Sequence, residues 1–189
     1  MLLSVGRLVA RKGFSEFIER VLPKVLAAHP DACYVIVGAE PGHAADPAAG
    51  AYDRILDAAR RAGVASRVRL AGALDDPDLQ AAYAAADLLI FPSLGGAGDV
   101  EGFGMVILEA AAHGVPAVAF DTGGVADAMS PQNGALVPAG DYAAYAEAVI
   151  GFLGGGSPRV TRDGCRSHAA GFSWMRFADD VRAAARSAA

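Results

Sequence analysis

The chain has 189 residues, 53% of them hydrophobic and 20% charged, which is enough to bury a full core and excludes both a disordered segment and a small disulfide-stapled scaffold. A formal net charge of -5 leaves no basic footprint for nucleic acid and no polybasic run for anionic lipid. Two cysteines, Cys33 and Cys165, stand far apart and outside any CxxC or Cys/His ligand spacing, so they read as incidental thiols. MLLSVGR reaches Arg7 too soon for a signal peptide. The most apolar stretch, MVILEAAAHGVPAVAF, is broken by Glu109, His113 and Pro116 and falls short of the ~20 clean residues of a membrane span. A cytoplasmic protein is the expectation.

In chain order, LLSVG (2–6) predicts a buried strand, followed by a helix over 14–28, a strand at CYVIVG (33–38) and a helix over 49–63. RVRLAG (67–72) is the third strand, and Asp76-Pro77 opens a helix over 76–86 that leads into DLLIFP (87–92). A helix over 102–113, beginning near Phe103 and stopped by Gly114, precedes the strand VPAVAF (115–120). A small helix over 124–129, a short strand ALVPA (135–139) and a helix over 141–153 capped by Asp141 complete the core. GGGSP (154–158) reads as a flexible linker. Beyond it, residues 159–189 form a helical tail in which Ser173 caps a helix with an apolar face of Trp174, Phe177, Val181 and Ala184. That face requires a packing partner.

Strands this continuously apolar are covered on both faces, and their alternation with helices implies right-handed crossovers and a doubly wound parallel α/β domain over 1–153. Ligands of such sheets bind where strands end and helices begin. Three of those loops carry chemistry. In GRLVARKG, Arg7 and Lys12 offer cations ahead of a helix N-terminus, a natural seat for a diphosphate, while Arg11 between them is expected only to solvate the loop. In GDVEGFG, Gly102 and Gly104 let backbone N–H groups approach a ligand, with Glu101 at the mouth and Glu109 eight positions on. A segment helical throughout would separate those two carboxylates by about 12 Å, too far to share a proton or a metal but suited to the two hydroxyl-rich ends of one elongated ligand. In FDTGGVADAM, Thr122, Gly123 and Gly124 form a further close-approach turn.

GFGMVI lacks the third glycine of a dinucleotide fingerprint, having Ile107 in its place, and no Walker loop occurs. There is no Asp-x-Asp and no His/Asp/Glu cluster at ligand spacing, so no metal site is expected; Asp75, Asp76 and Asp78 read as helix-capping residues. The four histidines, His29, His43, His113 and His168, read as structural or solvated.

The ordered set GRL...KG, AAADLLIFPS, EGFGMVILEA and HGVPAVAFDTGG resembles the C-terminal, donor-binding half of retaining glycosyltransferases of the GT-B fold, family 4, over nearly the whole chain. The resemblance implies a Rossmann-like domain that binds a nucleotide sugar. Arg7 and Lys12 would hold the donor diphosphate and Glu109 the ribose. Glu101, the catalytic-centre residue, would meet the transferred hexose together with the backbone of Gly102, Phe103 and Gly104. The turn from Gly72 to Leu74 would offer main-chain groups to the base. It also implies metal-independent chemistry with no cofactor beyond the GDP- or UDP-linked donor substrate, cations and helix N-termini replacing a divalent ion. The partner it implies is an N-terminal GT-B domain carrying the acceptor site, a glycine-rich loop and a histidine, which would place any contact with the inner face of a membrane in that half. The chain alone would then bind a nucleoside diphosphate and transfer nothing; the alternative is a non-catalytic module that senses a nucleotide sugar. GDVEGFG is similar to the wording of mannosyltransferases that act on phosphatidylinositol.

Overall fold

The computed structural model describes residues 1–40, 50–95, 101–155 and 159–187. His43, the first residue of the helix expected over 49–63, residues 98–100 of GDVEGFG and residues 156–158 of the linker lie outside the described residues.

The chain runs β1 (Leu2–Val5), α1 (Phe14–Arg20), α2 (Leu22–Ala28), β2 (Tyr34–Val37), α3 (Ala51–Arg61), β3 (Val68–Gly72), α4 (Asp76–Ala85) and β4 (Leu88–Phe91). It continues through α5 (Met105–Ala112), β5 (Ala117–Asp121), β6 (Gly134–Pro138), α6 (Tyr142–Leu153), α7 (Arg162–Ala170) and α8 (Trp174–Ser187). The strands form one parallel sheet in the order β3-β2-β1-β4-β5-β6, the doubly wound, Rossmann-like arrangement expected from the sequence. Leu2 pairs with Tyr34 on one side and Leu88 on the other, so β1 and β4 lie side by side at the point where the strand order reverses.

Side-chain parity explains why the central strands are almost continuously apolar. Leu2, Tyr34, Ile36, Leu88, Ile90, Val118 and Phe120 pack in one core with residues of α1, α2, α3 and α6. Leu3, Val37, Leu89, Phe91, Ala117 and Ala119 pack in a second core with residues of α4 and α5. Alternate residues thus serve opposite layers, and neither face tolerates a polar period.

Two phenols pin the first core to the sheet. The buried Tyr145 hydroxyl donates to the Val118 carbonyl of β5 and accepts from the Phe91 N–H of β4 at 3.1 Å. Tyr34 and Ser4 share a hydrogen bond of 2.7 Å, also buried. Burial pushes both phenols above their ordinary pKa, which keeps them protonated and able to donate.

The structure corrects two helices. The stretch expected as one helix over 14–28 is two, joined at Val21, because Pro23 in the first turn of α2 has no N–H to continue the ladder of α1. The helix expected from 102 begins at Met105: Gly104 precedes it at φ 87°, a left-handed conformation that cannot continue a helix backwards, so residues 101–104 form loop. The segment expected over 124–129 is a short 3-10 turn, Val125–Ala128. Three of the expected caps are in place, while Asp76 and Asp78 lie in the first turn of α4 and do not cap it. Asp75 accepts from the Asp78 N–H, Asp141 from Ala144 and Ser173 from Arg176.

The tail is not uniform. On α7, Cys165 and Ala169 pack with Ala111 of α5 and with Val160. On α8, by contrast, Trp174 is 78% and Phe177 60% exposed, and Met175 and Val181 lie exposed beside them, so the apolar face read from the sequence is uncovered. Among the described residues no helix is long and apolar enough to cross a membrane.

Candidate functional site

The loop after β1 is shaped by a glycine. Residues Ala10–Lys12 make one 3-10 turn that ends on Gly13 at φ 68°, from which α1 departs. A Cβ on Gly13 would stand 2.0 Å from the Pro92 carbonyl oxygen, so no other residue fits where this loop crosses the end of β4. The Leu94 N–H donates to the Arg11 carbonyl at 2.7 Å and the Ser93 hydroxyl to the same oxygen at 3.3 Å. The two loops at the reversal point of the sheet are therefore stitched together. Lys12, only 8% exposed, is buried between them with its ammonium 4.9 Å from the centroid of the Phe91 ring.

That ammonium meets Glu101. Lys12 Nζ donates to Glu101 Oε2 at 2.6 Å, and Arg11 Nη1 donates to the same oxygen at 2.8 Å. Burial by itself would raise the Glu101 carboxyl, but the hydrogen bonds and charges of Lys12 and Arg11 outweigh it and hold the group below the usual carboxylate range. Arg11 is thus a correction to the sequence reading: it is an ion-pair partner of the candidate catalytic residue and not a solvated loop cation. The loop signal GRLVARKG contained it, but only the three-dimensional approach of residue 101 distinguishes it from its neighbours.

The backbone of Glu101 is held from the loop after β5. The Gly124 N–H donates to the Glu101 carbonyl at 2.9 Å, and a Cβ on Gly124 would lie 2.0 Å from the Gly102 carbonyl oxygen. At the turn of Thr122, Gly123 and Gly124, the near neighbour of Gly124 is the Glu101–Gly102 backbone. Thr122 is buried and donates from its hydroxyl to the Ser93 carbonyl at 3.1 Å, joining this third loop to the first two.

Glu109 lies on α5, exposed, with the buried Tyr83 of α4 donating from its hydroxyl to Glu109 Oε2 at 2.7 Å. The Tyr83 ring stacks on His113 with centroids 5.2 Å apart. His113 Nδ1 lies 2.8 Å from the Glu109 carbonyl oxygen; a carbonyl only accepts, so Nδ1 carries the proton. Sequence reasoning missed Tyr83, which stands in the alanine-rich run AAYAAAD and reads there as a core residue. His113 is structural as expected, and its structural role is beside Glu109. His29 and His168 bond the Ile150 and Ala128 carbonyls, each at 3.1 Å.

The remaining candidates are distributed around these loops. Arg7 follows Gly6 directly after β1, exposed and without an ion pair among the described residues. Gly102 is exposed and Gly104 buried. The Phe103 ring packs on Phe172, centroids 5.7 Å apart, so the side chain belongs to the contact with the tail and only the backbone remains for a ligand. Gly72 ends β3 at φ 74° with its carbonyl accepting from the Gly38 N–H at 2.8 Å; Leu74, partly buried, packs on the second core. The structure therefore brings Lys12, Arg11 and Glu101 into contact, pairs Glu109 with Tyr83, and leaves Arg7 and Leu74 outside both clusters. Because residues 101–104 are not helical, the ~12 Å spacing drawn from helical rise does not apply to Glu101 and Glu109. Among the described residues no group of three or more His, Cys, Asp or Glu side chains converges as metal ligands would.

Cations and a carboxylate gathered at the reversal point of a doubly wound sheet, with glycines that open the backbone, can receive a polar, anionic, elongated molecule. Known proteins agree with the fold. Residues 1–154 match the family described as "Glycosyl transferases group 1". The chain is 38% identical over 152 residues to the GDP-mannose-dependent monoacylated alpha-(1-6)-phosphatidylinositol monomannoside mannosyltransferase of Corynebacterium glutamicum, a match that covers 78% of this chain and 36% of that protein. It is 35% identical over 191 residues to D-inositol 3-phosphate glycosyltransferase 1 of Catenulispora acidiphila, covering 100% of this chain and 44% of that one. Among solved structures, the sucrose-phosphate synthase of Thermosynechococcus elongatus superposes with a TM-score of 0.79 at 27% identity, over 98% of this chain and 44% of that one. The chain thus spans less than half the length of these relatives, and it belongs to the group 1 glycosyl transferases.

Proposed function

We propose that the chain is the donor-binding half of a retaining, metal-independent glycosyltransferase of the GT-B fold, family 4, that moves a hexose from a GDP- or UDP-linked donor to an acceptor held by an N-terminal domain. The observation that carries this reading is the convergence of Lys12 and Arg11 on Glu101 where β1 and β4 end side by side. The dependence of the Corynebacterium relative on GDP-mannose supports a nucleotide sugar as the ligand class.

The roles follow from charge. Transfer breaks the bond between the sugar carbon and the diphosphate oxygen, which keeps the electron pair, while an acceptor hydroxyl oxygen bonds to that carbon and its proton passes to the departing diphosphate. Lys12, buried at the edge of the sheet, and Arg7 on the same loop stabilise that charge where a divalent ion would otherwise be needed. Glu101, kept ionised by its two cations, accepts hydrogen bonds from the hexose hydroxyls, with the Gly102, Phe103 and Gly104 backbone beside it. Glu109 accepts from the ribose hydroxyls. The uncovered face of α8, with Trp174, Phe177 and Val181, is where the N-terminal domain packs.

Isothermal titration of the chain with GDP, UDP, ADP and NAD tests the reading. GDP or UDP should bind, with affinity unchanged by EDTA, and the chain alone should transfer no sugar. Preference for NAD, or binding lost on chelation and restored by magnesium or manganese, would contradict it.

A further inference from the structure

We propose that Tyr83 is a positioning residue for the donor's ribose, its hydroxyl fixing Glu109 Oε2 so that Oε1 is left to accept from the ribose hydroxyls. The proposal rests on the assignment of Glu109 to the ribose in the reading above, and it adds a residue and a mechanism to that assignment.

The geometry is a closed brace. Glu109 is exposed on α5, where an unbraced glutamate samples many rotamers and loses that freedom on binding. Tyr83 removes the freedom in advance. Its ring is 2% exposed, so it is anchored by packing, and its hydroxyl reaches the carboxylate at 2.7 Å. His113 closes the brace: its ring stacks on Tyr83, and its Nδ1–H is held by the Glu109 carbonyl at 2.8 Å. The backbone and the carboxylate of one residue are thus tied to two stacked rings from α4 and from the end of α5.

A core role alone does not account for the hydroxyl. Tyr83 lies among alanines on α4 and packs in the second core, where phenylalanine would fill the same volume. The phenol is a neutral donor, so it orients the carboxylate without neutralising it, which an Arg or Lys partner would do. Burial and the neighbouring Glu109 both raise its pKa, so it remains a donor throughout the working range of pH. With one lone pair of Oε2 taken by the phenol, Oε1 keeps both of its lone pairs for a vicinal diol.

The test is isothermal titration of the 189-residue chain against GDP, UDP, their 2′,3′-dideoxy counterparts and inorganic pyrophosphate. Tyr83→Phe should weaken GDP and UDP by roughly three- to tenfold, the size of one hydrogen bond's contribution, and leave the dideoxy nucleotides and pyrophosphate unchanged. The double variant Tyr83→Phe/Glu109→Ala should bind GDP and UDP no more weakly than Glu109→Ala alone. An equal loss for all ligands would mean that Tyr83 only supports the fold of the site, and the positioning role would be wrong. If Glu109→Ala weakens GDP and UDP while Tyr83→Phe does not, the positioning role fails and the ribose assignment stands. If Glu109→Ala leaves them unchanged, the ribose assignment fails and takes the positioning role with it.

Discussion

Lys12 and Glu101, 89 positions apart in sequence, meet at 2.6 Å across the reversal point of the sheet. In the proposed site they have different clients, the diphosphate for Lys12 and the hexose for Glu101, and they also bond each other. A donor that brings its own diphosphate competes with Glu101 for the ammonium. With Arg11 on the same oxygen, the contact compensates the charges of the loop and avoids the cost of an unpaired charge in a partly desolvated site.

Lys12→Ala should weaken GDP or UDP by about tenfold or more, because charge-assisted contacts contribute roughly 1.5–3 kcal/mol each. The plain nucleoside, which lacks the diphosphate, should be affected far less. Arg7→Ala should show the same selectivity with a smaller loss, since Arg7 is exposed and its charge is screened. Titration of each variant with nucleoside and nucleoside diphosphate measures the difference.

The ion pair also sets a pH dependence of stability. The Glu101 carboxyl is held below the usual carboxylate range in the folded chain, the hydrogen bonds and charges of Lys12 and Arg11 outweighing burial. A depressed folded pKa means that the unfolded state binds the proton more tightly, so the contribution is fully present above the unfolded value and is lost as pH falls through the folded one. Wild type should therefore exceed Glu101→Gln in urea midpoint at pH 7, and the gap should narrow as pH falls below the ordinary glutamate value of about 4.3. A gap that stayed constant through the acid range would show that the pair contributes nothing through charge.

Gly124→Ala should damage the site without touching a ligand-binding side chain. Its φ of -88° suits any residue, so the penalty comes only from the added Cβ, which would stand 2.0 Å from the Gly102 carbonyl oxygen. The loop carrying Glu101 must move, and the Gly124 N–H bond to the Glu101 carbonyl goes with it. Expected results are a destabilisation on the order of 1–3 kcal/mol by chemical denaturation and weaker binding of sugar-bearing donors. Gly140→Ala is the control: its Cβ would meet nothing within 4 Å, though its φ of 79° adds some strain, so donor binding should be unaffected.

The sheet was legible in the sequence because its central strands β1, β2, β4 and β5 are buried on both faces, leaving runs such as DLLIFP without a polar period, whereas the outer strands β3 and β6 expose alternate residues. Helix ends were less so. The break at Val21 depends on one proline inside an otherwise periodic stretch, and the late start of α5 depends on Gly104 adopting a left-handed conformation that composition does not announce. Of the candidate site, the loops and Glu101 stand out in the sequence because they cluster glycine with charge at strand ends, while Glu109, within α5, stands out only by its spacing from Glu101. Arg11 could not be separated from its neighbours, since its partner lies 90 positions away, nor Tyr83 from core, since only its hydroxyl leaves the packing.

The claim that the two glutamates serve different ends of one donor is tested most directly by titrating Glu101→Ala and Glu109→Ala with GDP and GDP-mannose, and with UDP and UDP-glucose. Glu109→Ala should weaken the nucleoside diphosphate and its sugar alike, because the ribose is common to both. Glu101→Ala should leave the nucleoside diphosphate at least as tightly bound as in wild type, its competitor for Lys12 having been removed, while the extra affinity contributed by the sugar disappears. If Glu101→Ala instead weakened the nucleoside diphosphate as much as Glu109→Ala does, the two carboxylates would not sit at opposite ends of the donor and the account of the site would be wrong.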